Sequence, residues 1–150
     1  MAEENLKSIT ATGTVLTVVA SNTFPAGFEV DGFADDADPF DFSEQEIGEY
    51  GIGFNGTIVT WNKAVALPFT LNVIPNSNTD INLSILYNAN RRTKDHQPAD
   101  DVITITATYP DGTTKTLKNG KILSGVPVLS AAQNGRFKTR PYNFVFADAQ

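Results

Sequence analysis

Alternation of apolar and polar residues with a period of two runs through most of this chain and steers it toward strands. In the closing stretch "RPYNFVFAD", Tyr142, Phe144 and Phe146 alternate with Asn143 and Val145. In "ALPFTLNVIP", Leu67, Phe69, Leu71 and Val73 alternate with Pro68, Thr70 and Asn72, and in "PFDFSEQEIG" Phe40 and Phe42 alternate with Asp41 and Ser43. Each pattern predicts a strand with one dry and one wet face. Pro68 lacks a ladder donor, so its strand begins there or has that position at an edge or bulge. Segments 12–21 and 27–33 form a hairpin around Asn22, Pro25 and Gly27, and "DVITITATYPDGTTKTLKNGKI" forms another around a turn at Pro110, Asp111 and Gly112.

Only "PNSNTDINLSILYNANRR" fits a helix, at about 79–91, with Asn78, Thr79 or Asp80 as its cap and Arg91 and Arg92 at its C-terminal end. The chain of 150 residues is the size of one domain. The expected architecture is mainly β: an antiparallel β-barrel or sandwich of about seven strands over residues 1–150, with one flanking α-helix and an extended hairpin arm.

The arm is "GEYGIGFNGTIVTWNKAVA", at about 48–66, carrying Tyr50, Ile52, Phe54, Ile58, Val59, Trp61 and Val65. Joining two strands needs only a few residues. A connection of this length with apolar side chains either packs on something outside its own domain or folds back on the parent core.

Charge is distributed unevenly. Glu29, Asp31, Asp35, Asp36, Asp38, Asp41, Glu44, Glu46 and Glu49 lie in the first third, and Arg91, Arg92, Lys94, Lys115, Lys118, Lys121, Arg136, Lys138 and Arg140 lie in the remainder, so two copies could meet with opposite signs. The net charge of −6 disfavours non-specific binding to nucleic acid. With no cysteine, a disulfide framework, a thiolate metal site and a cysteine nucleophile are excluded. The N-terminus lacks a basic and apolar leader, and "TVLTVVA" is too short to span a bilayer, so no membrane insertion is expected.

The chemistry-bearing motifs are weak. "GIGFNG" has dinucleotide-binding spacing but runs into the β-former "TIVTW" instead of a helix. "DDADPFD" lacks the residue order of a helix-loop-helix calcium site. His96, the single histidine, sits in a polar loop beside Asp95 with nothing to complete a triad. No catalytic, cofactor-binding or metal-ligating residue is assigned, and the chain is not expected to be an enzyme.

Taken in order, "VDGFADDADPFDF", the glycine-bearing arm, "PFTLNVIPNSNTDINLSILYNANRR", "ITITATYPDGTTKTLKNGKIL" and "NGRFKTRPYNFVFAD" resemble the tail tube proteins of tailed bacteriophages, a fold shared with phage-like bacteriocins and the type VI secretion tube. The chain departs from that pattern in its acidic insertion at 35–38 and in the length of "GFNGTIVTWNKAVAL". The resemblance implies a virion tail protein assembled in the host bacterial cytoplasm, forming homo-hexameric rings that stack into a conduit for DNA. Sheath, baseplate, tape-measure or tail-terminator proteins are the implied partners, and DNA passes without specific binding. By alternation, Asp41, Ser43, Gln45, Thr70 and Asn72 are expected to face the lumen. The arm residues are expected to contact other subunits or rings. The competing expectation is a monomeric β-sandwich that binds carbohydrate or protein on an aromatic platform of Tyr50, Phe54 and Trp61. A small hydrolase using two carboxylates has no supporting motif.

Overall fold

The structure is a computed structural model that describes residues 9–150. Among the described residues there are nine strands and one helix: β1 (Val15–Ala20), β2 (Phe24–Val30), β3 (Phe40–Phe42), β4 (Gly48–Ile52), β5 (Ile58–Asn62), β6 (Leu67–Val73), α1 (Asn78–Asn90), β7 (Ile103–Thr108), β8 (Thr114–Gly125) and β9 (Arg140–Ala149). Seven strands form one antiparallel sheet in the order β2-β1-β7-β8-β9-β6-β3, and β4 and β5 pair only with each other.

Alternation builds the core as expected. Phe69, Leu71, Val73, Tyr142, Phe144 and Phe146 are all buried on one face of β6 and β9, together with Leu16, Val18, Ile103 and Ile105 from β1 and β7. Phe42, Phe69 and Phe144 continue one another across three strands, with ring centroids 4.7 Å and 6.0 Å apart. Each such ring contributes about 1.5–3 kcal/mol when withdrawn from water. Helix α1 lies against β8 and β2 on this same face and adds Leu83 and Leu86 to the cluster. The result is a curled sheet with a helix over its inner face, a sandwich-like arrangement.

The barrel alternative is corrected: β2 and β3 remain separate rims of an open sheet. The chain after β2 meets β6 at an isolated bridge between Phe33 and Val73, made by hydrogen bonds from Ile74 N–H to the Gly32 carbonyl at 2.7 Å and from Ala34 N–H to the Asn72 carbonyl at 3.1 Å. Both rims are blunted. On β2, Pro25 has no donor, and Gly27, at φ +79°, lies where the pairing with β1 slips register between Val18 and Ala20. A side chain at Gly27 would also meet the Val19 methyl at 2.9 Å. The other rim, β3, is three residues long and follows Pro39. Because β3 pairs only with Phe69, Thr70 and Leu71, β6 has a single neighbour at Pro68, which explains how the proline is accommodated.

The helix spans almost the predicted range, but its cap is Ser77 and not Asn78, Thr79 or Asp80. Ser77 Oγ accepts the Asp80 N–H at 3.2 Å. Thr79 and Asp80 are committed elsewhere: Thr79 Oγ1 accepts the Asp31 N–H at 2.9 Å and donates to the Asp31 carboxylate at 2.6 Å. Asp80 enters a buried polar network. Its carboxylate accepts from Arg140 Nη1 at 3.1 Å, from Tyr142 Oη at 2.9 Å and from Asn76 N–H at 2.8 Å. Burial, and then the adjacent Asp80 carboxylate, push the Tyr142 phenol far above its ordinary pKa, so it stays a donor.

Candidate functional site

The arm stands apart from the core. Its two strands pair from Gly48–Asn62 to Ile52–Ile58, and Gly53 N–H to Thr57 carbonyl at 2.7 Å closes the turn. "GIGFNG" is therefore the end of β4 and a hairpin turn, followed by β5, with no helix N-terminus to receive pyrophosphate. Every apolar arm residue predicted from sequence is exposed: Tyr50, Ile52, Phe54, Ile58, Val59, Trp61 and Val65. The alternative of a hairpin folded back on the parent core does not hold. Sequence reading missed Ile47, which extends the exposed apolar series by one residue and is 70% exposed.

Strand alternation gives the arm two apolar faces. Tyr50, Ile52 and Ile58 share one, and Val59 and Trp61 share the other. Trp61 lies over Gly51 and donates its indole N–H to Glu49 at 3.0 Å. Lys63 steadies the base of the hairpin through Glu49 at 3.4 Å and Glu46 at 3.8 Å. Tyr50 and Trp61 point to opposite faces and Phe54 sits in the turn, so the three do not form one flat aromatic platform. A two-stranded hairpin apolar on both sides is marginal by itself in water.

The opposite face of the large sheet is polar and carries no layer of this chain's helix. Asp41 pairs in register with Thr70, and Thr70 with Asn143. Thr70 Oγ1 donates to Asn143 Oδ1 at 2.7 Å, and Asn143 Nδ2 donates to Ser124 Oγ at 2.8 Å. A polar row thus crosses β3, β6, β9 and β8. Asn72 shares the Thr70 face and donates to the Asp38 carbonyl at 2.7 Å. Ser43 and Gln45 lie past the end of β3, where Gln45 donates to the Ser43 carbonyl at 3.1 Å, so they stand outside this row. Asn143 and Ser124 went unpredicted, although Asn143 is the outward position between Tyr142 and Phe144. Thr17, Thr106 and Thr116 pair in sequence across β1, β7 and β8 and extend the polar surface, on which Glu29 pairs with Thr17 and Lys121 with Val145.

Part of the acidic segment is neutralised within the chain. Asp35 accepts two hydrogen bonds from Arg136 at 3.1 Å, and Asp36 accepts from Thr139. The Arg136 guanidinium holds the Asp35 carboxyl below its usual range. Among the described residues no group of three or more His, Asp or Glu is placed to hold a metal ion. His96 is exposed, with Nδ1 2.9 Å from the Arg91 carbonyl oxygen. A cleft of about 510 Å³ lined by Ile9, Ala11, Phe40, Tyr109 and Pro110 has one carboxylate, Asp111, at its wall. No helix among the described residues is long and apolar enough to cross a membrane.

Asp101 ties the first hairpin to the helix. It accepts from Asn22 N–H at 2.7 Å, Thr23 N–H at 2.9 Å, the Thr23 hydroxyl and Asn90 Nδ2 at 2.9 Å. Burial alone raises its pKa, but these hydrogen bonds from Thr23, Asn90 and Asn22 outweigh it and hold the carboxyl below the ordinary value. A depressed folded-state pKa contributes stability above the unfolded value of about 3.9, and that contribution is lost as pH falls through the folded value. Chemical denaturation of the wild type below about pH 4 should therefore show a falling midpoint, with a shallower fall in Asp101→Asn. Equal slopes for the two proteins would remove Asp101 from the acid response.

The family described as tail fiber protein gp32 matches residues 7–150. No curated protein matches the chain. Among solved structures, the chain is similar to the sheath/tube terminator of the extracellular contractile injection system PVC in its extended state, at 12% identity over 97% of each chain with a TM-score of 0.54. It is similar to the tube-terminating cap of the anti-feeding prophage, at 14% identity over 97% of this chain and 91% of that one, with a TM-score of 0.55. A chain of the six-fold symmetrised anti-feeding prophage baseplate gives 10% identity over 97% and 95%, with a TM-score of 0.54. At these identities the likeness is one of fold.

Proposed function

The chain belongs to the tail fiber protein gp32 family, and from that premise we propose that it is a structural subunit of a phage-type tail, assembling with copies of itself into a hexameric ring around the tail channel. The observation that carries this reading is the hairpin arm, whose strands pair only with each other among the described residues and whose two apolar faces are exposed. Such a surface is suited to contacts between subunits or between successive rings. The polar face bearing Asp41, Thr70, Asn72, Asn143 and Ser124 is our candidate for the channel wall. The row across β3, β6, β9 and β8 presents hydroxyls, amides and one carboxylate, with Lys121, in register with Val145, as a cation on the same face. So few cations give DNA phosphates little to grip, because each Lys or Arg contact adds a salt-sensitive hold. Ser43 and Gln45 belong to the rim of that wall. The terminator, cap and baseplate named above favour a ring at one end of a tube as much as one within its shaft. The binding-module alternative is weakened by the separation of Tyr50, Phe54 and Trp61.

Negative-stain electron microscopy over a concentration series, with sedimentation velocity on the same samples, tests the proposal. Open-ended tubes identify a repeating tube subunit, and single rings or short finite stacks identify a tube-end ring. Trp61→Ala should keep the thermal midpoint of the monomer within about 2 °C, since the indole is half exposed and lies over Gly51 and Glu49 of the arm itself. It should raise the concentration needed for assembly about tenfold or more. Monomer unfolding with assembly intact, or a wild type that stays monomeric throughout, would overturn the reading.

A further inference from the structure

The charges that the fold leaves unpaired are of opposite sign and lie on different parts of the surface. Arg91, Arg92 and Lys121 converge on a groove of about 330 Å³ between the C-terminal end of α1 and β8, floored by Tyr87, Ile122 and Leu123. None of these three cations forms an ion pair among the described residues. Leu123 is 58% exposed, so the groove combines an uncovered apolar wall with net positive charge. The segment at 43–47, "SEQEI", follows the short rim strand β3 without regular structure. Glu44 has no cationic partner among the described residues, Glu46 only the 3.8 Å approach of Lys63, and Ile47 is 70% exposed.

We propose that this groove is the docking site for segment 43–47 of a second copy of the chain, with Glu44 and Glu46 facing Arg91, Arg92 and Lys121, and Ile47 against Leu123. The inference deepens the assembly reading above and rests on it. Charge complementarity selects the occupant: Asp35 is already held by Arg136, and 43–47 joins two exposed glutamates to an exposed apolar residue, Ile47, matching the groove's cations and its Leu123. Segment and groove are held apart by the fold. β3 is the rim of the sheet, whereas β8 is separated from it by β9 and β6, so the contact joins two different patches. Such a contact is heterologous and closes into a ring when the rotation between copies permits.

The test is a charge-reversal cycle on the full chain, read by sedimentation velocity at low and high salt, with circular dichroism melts as the folding control. Arg91→Glu/Arg92→Glu and Glu44→Lys/Glu46→Lys should each leave the melt near wild type and raise the assembly concentration about tenfold or more. Mixing the two variants should restore association, because each then supplies what the other lacks. Wild-type association should weaken as salt rises. Assembly of the wild type with no loss in either variant would overturn this interface while leaving the assembly reading intact. A wild type that never associates would overturn both.

Discussion

Asp80→Ala should destabilise the monomer by about 3–5 kcal/mol, lowering its thermal midpoint by about 10 °C or more. Asp80 is fully buried and Arg140 is 7% exposed. Removing the carboxylate strands the guanidinium, whose Nε already has no partner, and takes away the acceptor of the Tyr142 hydroxyl and of the Asn76 N–H. A buried cation without a counter-charge is the most expensive state the network can adopt. Replacing both members by apolar residues, Asp80→Leu with Arg140→Met, should recover much of the loss, because a well-packed apolar pair avoids desolvating either charge. A single-mutant loss below about 1 kcal/mol in urea denaturation would mean that water reaches the pair and that it is not a structural anchor.

The second large effect lies at Gly120. The pairing of β7 with β8 slips by one residue between Ile103–Gly120 and Ile105–Leu117, and Asn119 takes up the slip at φ +55°. The bulge brings Gly120 against the ring of Phe146. A Cβ there would come within 2.3 Å of two ring atoms and 2.9 Å of the Ile103 carbonyl oxygen. Phe146 is fully buried and stacks on Phe144, so the ring has no vacant space to enter. Gly120→Ala should thus destabilise by about 3 kcal/mol, far more than the usual effect of one added methyl, and Gly120→Ala/Phe146→Leu should recover part of it. Near-neutral stability in guanidinium unfolding for Gly120→Ala alone would show that the bulge can flatten.

Those two sites mark the boundary of what was legible beforehand. The strand at Tyr142, Phe144 and Phe146 and the hairpin around Pro110–Asp111–Gly112 could be read because alternation and turn chemistry are local. The helix range could be read for the same reason. Its cap could not, because Asp80 and Thr79 are drawn away by Arg140, Tyr142 and Asp31, partners 48 to 62 positions distant along the chain. The Asp35–Arg136 pair, 101 positions apart, was equally invisible and removes part of the charge asymmetry that the sequence displays. Barrel closure depends on how two rims meet, which period-two patterning leaves undetermined. The arm was half legible: its apolar content was plain, but only its pairing as a separate sheet decided against folding back. On the polar face, alternation located Asp41, Thr70 and Asn72, while Asn143 and Ser124 required the register.

For the assembly proposed above, the blunted rims bear on when growth could start. A sheet bordered by a proline-bearing, bulged strand on one side and a three-residue strand on the other offers newcomers no long row of backbone donors and acceptors. In the proposed assembly, association at these two rims would be governed by side chains, whose contacts are individually weak and reversible, so a misplaced copy could leave before it is locked in. A molecule produced in quantity can in this way stay dispersed until the correct neighbour is present, and errors are corrected by release without waiting for degradation.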